Sequence, residues 1–151
     1  MPDFSALSAS RLSTCESPLR LVMNTVIAYF DIKVLEGHRT RETHEVYLNQ
    51  KPPATKVPYE RTKHRHNPSR AVDVAPWITD LNRMADWNNP NELRYFYYMA
   101  GFVQATAQRV LGYPLVWGGN WDGDSIIGVG ARSDDQTFND LVHFELPSFI
   151  V

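Results

Sequence analysis

Five histidines, His38, His44, His64, His66 and His143, are the residues of this chain best suited to metal or proton chemistry. His64 and His66 share one loop shortly before Asp73, and His143 follows Asp73 by 70 residues. Asp73 and His143 each stand in an apolar, strand-like run, Ala71-Val72-Asp73-Val74-Ala75 and Leu141-Val142-His143-Phe144-Glu145-Leu146. A carboxylate in such a run is costly to bury unless it is paired or binds a metal. Two histidines and one aspartate, with a fourth position for water, make a catalytic zinc set. Cys15 is the lone cysteine. It can form neither an internal disulfide nor a Cys-rich zinc site, so a metal site here must use His and carboxylate. Asp140 lies three residues before His143, where a carboxylate can act as the general base of a zinc hydrolase. Strand positions three apart face opposite ways, so Asp140 must sit in a turn leading into the last strand. Glu145 shares His143's face and is either a rival base or the group that orients His143. The oxygen-rich Asp122-Gly123-Asp124-Ser125 lacks the length and terminal Glu of an EF-hand. It reads as a tight turn before it reads as a calcium site.

These residues need elements to hold them. The first 16 residues are small and polar and read as a loose lead-in. Ser17 and Pro18 open an amphipathic helix over 18–30, marked by Leu19, Val22, Val26 and Phe30. Ile32 and Val34 alternate with Asp31 and Lys33 as a short strand that ends at Gly37. Thr40 caps a helix reaching about Asn49. Lys51 to Asn67 carries Pro52, Pro53 and Pro58, which forbid a continuous helix, and so long an irregular segment is usually functional. Residues 71–75 read as a buried strand and 76–88 as a loop. Asn89, Pro90 and Glu92 form a capping signature for the longest helix, whose core face is Leu93, Phe96, Tyr97, Ala100, Val103, Ala107, Val110 and Leu111. The run Tyr95-Phe96-Tyr97-Tyr98 fits core packing at helical period better than a ligand-stacking stripe. Gly112 stops the helix. Pro114 to Trp117 and Val142 to Leu146 are the remaining strands. Without regular βαβ alternation, the fold class is α+β with a small, mainly antiparallel sheet flanked by helices.

The composition bounds the function. The 151 residues suit one domain, 1–151, with 43% hydrophobic and 21% charged residues. The net charge of −2 gives no support for non-specific nucleic-acid binding. No apolar run is long enough to span a bilayer, and the N-terminus shows no secretory signal, so no membrane partner is expected. Charge is uneven: Lys51–Val72 holds six Lys or Arg and one acid, Asn120–Glu145 six acids and one Arg. Solvated loops explain this most simply. A groove facing a charged polymer is the functional alternative.

Several segments taken together resemble one family. They are Val34-Leu35-Glu36-Gly37-His38-Arg39-Thr40, Thr62-Lys63-His64, Pro68-Ser69-Arg70-Ala71-Val72-Asp73, Trp117-Gly118-Gly119-Asn120-Trp121 and Asp140-Leu141-Val142-His143-Phe144-Glu145-Leu146. In order and type they resemble the zinc peptidases of bacterial cell walls: D-alanyl-D-alanine carboxypeptidases, vancomycin-resistance dipeptidases and, most closely, the L-alanyl-D-glutamate peptidases of phage endolysins. The resemblance runs from about Arg11 to Leu146. It implies the fold shared with the Hedgehog signalling domain. It implies zinc (Zn2+) held by His64, Asp73 and His143, with Asp140 as base and Arg39 holding the substrate's carboxylate or polarising its carbonyl. The family usually has a Gly shortly before Ala-Val-Asp, and here Ser69 stands near that position. Two registers for the first ligand follow. His64 lies nine residues before Asp73 and keeps the hydroxyl-x-His pattern; His66 lies seven before, the spacing commoner across the wider family. His64 is preferred.

The resemblance implies a monomeric endolysin that cuts the L-Ala–D-Glu bond of the peptidoglycan stem peptide. It would be made in the host cytoplasm and act on the periplasmic wall once a partner opens the inner membrane. One alternative stays within the family: a carboxypeptidase or dipeptidase acting on D-Ala-D-Ala, distinguished by the loop between Pro76 and Asn89. Another is a zinc-carrying binding module without turnover, against which Asp140 argues. A His/Asn nuclease built on His64, His66 and Asn67 would need a basic surface that the chain lacks.

Overall fold

The computed structural model describes residues 2–121, 123 and 139–150. Among these residues, four α-helices, α1 (Ala6–Ser13), α2 (Ser17–Ile27), α3 (Arg41–Asn49) and α4 (Leu93–Leu111), accompany five strands. The strands are β1 (Ile32–Glu36), β2 (Ala71–Ile78), β3 (Arg83–Met84), β4 (Val116–Trp117) and β5 (His143–Glu145). The sheet order is β1-β2-β5-β4, with β3 paired to the far end of β2, and every strand pair is antiparallel. The fold class is therefore the α+β arrangement expected.

The core forms where α2 and α4 cover the sheet. Leu19, Val22, Met23 and Val26 of α2 meet Phe96, Met99, Val103 and Ala107 of α4 over Val72, Val74 and Phe144, all with no exposed surface. Each large apolar side chain so buried contributes about 1.5–3 kcal/mol. Strand neighbours point to opposite faces. With Val72, Val74 and Phe144 committed to the core, Asp73 and His143 must face the other way.

Several elements differ from expectation. The lead-in is not loose: residues 6–13 form α1, capped by Ser5, whose Oγ accepts from the Ser8 N–H. Ser8 and Arg11 of α1 bond the Val34 backbone, beside the bulge that interrupts the β1–β2 pairing after Val34, and Leu12 and Cys15 enter the core. Two buried apolar residues among small polar ones gave too weak a period to show this helix. Helix α2 ends at Ile27, short of the expected Phe30. The segment 76–88 is only partly loop, because β2 runs on to Ile78 and β3 returns against it. Helix α4 starts at Leu93 instead of Pro90. Glu92 forms no capping box: its carboxylate takes both Arg83 nitrogens and the Asp86 N–H, tying β3 to the helix start and holding its pKa down at about 2. Gly112, at φ 84°, ends α4 as expected. Of the aromatic run only Phe96 is core. Tyr97 is 44% exposed and Tyr98 68%, so Tyr97 leaves the expected core face.

Candidate metal centre and active-site cleft

The sheet aligns three polar side chains in one row. Glu36 of β1 and His143 of β5 are both register partners of Asp73 on β2. Such partners lie on one face with Cβ atoms about 5 Å apart. Asp73 Oδ1 is 3.0 Å from His143 Nδ1. The other face of His143 is fixed by Glu145, two residues along the strand, whose Oε2 accepts from Nε2 at 2.9 Å. Glu145 is thus placed as the orienting partner of His143.

His64 arrives from a 3-10 turn, Lys63–Arg65, in the irregular segment. Its Nδ1–H donates to the Gly37 carbonyl at 2.6 Å, and its own carbonyl accepts from the Arg39 N–H at 2.8 Å. Its Nε2 is left facing Asp73 Oδ1 and His143 Nδ1, each at 3.2 Å. Gly37 has to be glycine for a steric reason. A Cβ there would stand 2.5 Å from the Arg11 carbonyl and 2.3 Å from Thr14 Oγ1.

The three ligand atoms lie within 4.8 Å of one another, on buried residues. In both histidines the outer nitrogen is already engaged by a fixed acceptor, and the inner nitrogen turns to one shared point. A two-nitrogen, one-oxygen set of this kind fits a divalent cation. Electrostatics agree. Burial opposes the charge on Asp73, but His64 and His143 hold its carboxyl well below the usual range. Burial also opposes a charge on His143, yet the hydrogen bonds to Asp73 and Glu145 push it up to about 10. The metal-free centre therefore holds a proton that a cation would displace.

Asp140 lines the same cleft, in a turn before β5 as the sequence requires. Its N–H donates to the Gly118 carbonyl at 2.9 Å, and its carbonyl accepts from the His143 N–H at 3.1 Å. A Cβ on Gly118 would lie 2.2 Å from the Asp140 carbonyl oxygen, so only glycine allows this approach. Burial, then the charge of Asp73, push the Asp140 carboxyl up to about 6, with His143, His64 and Arg39 pulling the other way.

Arg39 is only 7% exposed. Its guanidinium donates to both Glu36 oxygens at 2.9 and 2.7 Å, lies over the Tyr47 ring, and comes within 3.7 Å of Asp73 Oδ2. His44, fully buried on α3, donates from Nε2 to the Val57 carbonyl, so its Nδ1 accepts from Arg39. Sequence reasoning missed Glu36 and His44 as parts of the site. Nothing in their spacing marks them, because their partners lie on other elements. His66 and His38 stay outside the cluster, the His66 carbonyl lying 2.9 Å from His38 Nδ1. The possible calcium turn Asp122–Ser125 lies outside the described residues apart from Gly123.

The cleft over this centre holds about 1100 Å³. Trp121 flanks His143, with ring centres 5.3 Å apart. A buried His/His/Asp cluster with a carboxylic acid beside it, open to a groove of peptide size, defines a hydrolase able to hold a divalent metal. The family model for phage L-alanyl-D-glutamate peptidases matches residues 2–147, and the chain belongs to that family. It is a peptidoglycan-cleaving peptidase. Among solved structures it resembles the L-Ala D-Glu endopeptidase ChiX of Serratia marcescens, with TM-score 0.65 and 23% identity over 95% of this chain and 89% of that one, a likeness of fold. No curated protein matches the sequence.

Proposed function

We propose that the chain is a zinc-dependent endopeptidase that cuts the L-Ala–D-Glu bond of the peptidoglycan stem peptide during phage lysis, reaching the wall from the host cytoplasm. The observation that carries this reading is the convergence of His64 Nε2, Asp73 Oδ1 and His143 Nδ1, with Asp140 on the same cleft. These three residues would hold the zinc, which when bound supplies Lewis-acid activation of water and carbonyl. Glu145 keeps the His143 Nε2 proton, so Nδ1 stays turned inward. Asp140 takes a proton from the attacking water and passes it to the leaving amine of D-glutamate. It must be ionised to do so. Activity therefore rises with pH through its pKa, which is about 6 without a cation and lower beside one. Arg39, held by Glu36 and His44 within 3.7 Å of Asp73 Oδ2, lines the same cleft and polarises the substrate's carbonyl or holds its carboxylate.

The test is mass spectrometry of purified peptidoglycan digested with zinc-loaded protein, with and without a chelator. Chelator-sensitive release of peptides beginning at D-Glu is expected. Free D-Ala would make the protein a carboxypeptidase, and no product would leave a binding module.

A further inference from the structure

The two edges of the cleft differ in chemistry. At the β1 edge, the irregular segment presents Lys56, Arg61 and Lys63 to the groove. Arg61 and Lys63 form no ion pair with any described residue, while the neighbouring Glu60 is drawn away onto Arg41 at 2.8 Å. At the other edge, Trp87, Tyr97 and Trp121 line the groove and keep 44%, 44% and 36% of their surface exposed. The floor carries Glu36, Asp73, Asp140 and Glu145. An anionic substrate group is repelled by such a floor unless a cation receives it.

The substrate has such a group. A glutamyl residue bears two carboxyls and the chain continues through only one. The leaving-amine side of an L-Ala–D-Glu bond therefore carries a free carboxylate close to the scissile nitrogen. We propose that Arg61 and Lys63 bind this carboxylate. That contact lays the leaving half of the substrate along the β1 edge and directs the acyl half, with its attached sugar, onto the rings of the other edge. Aromatic faces suit a sugar, whose C–H surface is apolar. The inference rests on the bond assignment proposed above.

The experiment compares two synthetic stem peptides, one with D-glutamate and one with D-isoglutamine, whose free carboxyl is amidated and neutral. Zinc-loaded wild-type protein is expected to favour the D-glutamate peptide by about 10- to 100-fold in kcat/KM, the range of a charged hydrogen bond. The preference should shrink as salt rises. In Arg61→Ala/Lys63→Ala the ratio should fall toward one at unchanged zinc content, with Arg61→Gln as the milder variant should the double one fail to fold. Equal cleavage of both peptides by wild type, or an unchanged ratio in folded variants, overturns the cationic wall. Release of D-Ala with the L-Ala–D-Glu bond of both peptides intact overturns the bond assignment and this inference together. The orientation has its own readout. Trp87→Ala should raise KM for a disaccharide-linked peptide more than for the bare peptide, and equal increases overturn the placement of the sugar.

Discussion

The candidate metal centre is assembled by two regions that fix their side chains in different ways. In the sheet, Asp73 and His143 are register partners, so strand pairing itself brings them face to face. In the irregular segment no ladder holds the chain. His64 is aimed by separate contacts, its Nδ1–H on the Gly37 carbonyl and its own carbonyl on the Arg39 N–H. The sheet half draws its position from many backbone bonds at once, and the loop half from a few. The loop half should therefore be more sensitive to substitutions outside the cluster. It is also the half that can vary its charged wall without disturbing the ladder.

The strongest test of this division removes ligands. Asp73→Ala, His143→Ala and His64→Ala are each expected to lose the metal and all cleavage, whereas His66→Ala keeps both. Metal analysis of the purified variants decides, and stoichiometric zinc in Asp73→Ala would remove Asp73 from the ligand set. A smaller effect is expected at the base. Asp140→Ala should keep its zinc and lose about 10²–10⁴ in rate, and near-wild-type activity would move the role to Glu145.

The comparison sharpens with one orienting contact from each half. Glu145→Gln changes the partner of His143 but leaves the ladder intact, at a cost of about 10- to 100-fold in metal affinity. Gly37→Ala drives a Cβ into Arg11 and Thr14 and moves the carbonyl that aims His64. It should weaken zinc by a similar factor and also lower Tm, which Glu145→Gln should do less. Chelator competition and thermal melts read both. Wild-type affinity in a folded Gly37→Ala protein would show that the loop half does not depend on that clamp.

The smallest effect is a proton. Metal-free His143, with its pKa raised to about 10, is protonated at pH 7. A metal ion must displace that proton, so affinity rises with pH and binding at pH 7 releases about one proton. Calorimetry in buffers of different ionisation enthalpy measures it. Binding without proton release would contradict the charge state drawn for the sheet half.

Much of the sheet half was legible in the sequence. Asp73 and His143 are polar residues inside apolar, strand-like runs, where an unpaired carboxylate is costly to bury. The turn that carries Asp140 followed from the three-residue offset. Less was legible where contacts are non-local. Helix α1 was read as a loose lead-in because it is held to β1 by Ser8 and Arg11 and to the core by Leu12, not by a strong period of its own. Tyr97 kept the period of a core residue, yet its ring lies exposed on the cleft beside Trp117.

By itself, the sequence determined the chemistry available: one cysteine, histidines and carboxylates as the only metal donors, and two of those donors on strands where the pleat must turn them to one face. Only the tertiary structure brings His64, and not His66, to Asp73 and His143, and engages Arg39 with Glu36 and His44. His64 and His66 stand two residues apart in a segment with no regular period, so no local rule orients either. What selects His64 is a carbonyl 27 residues away in sequence, carried in by the end of β1 and kept there by the close approach of α1.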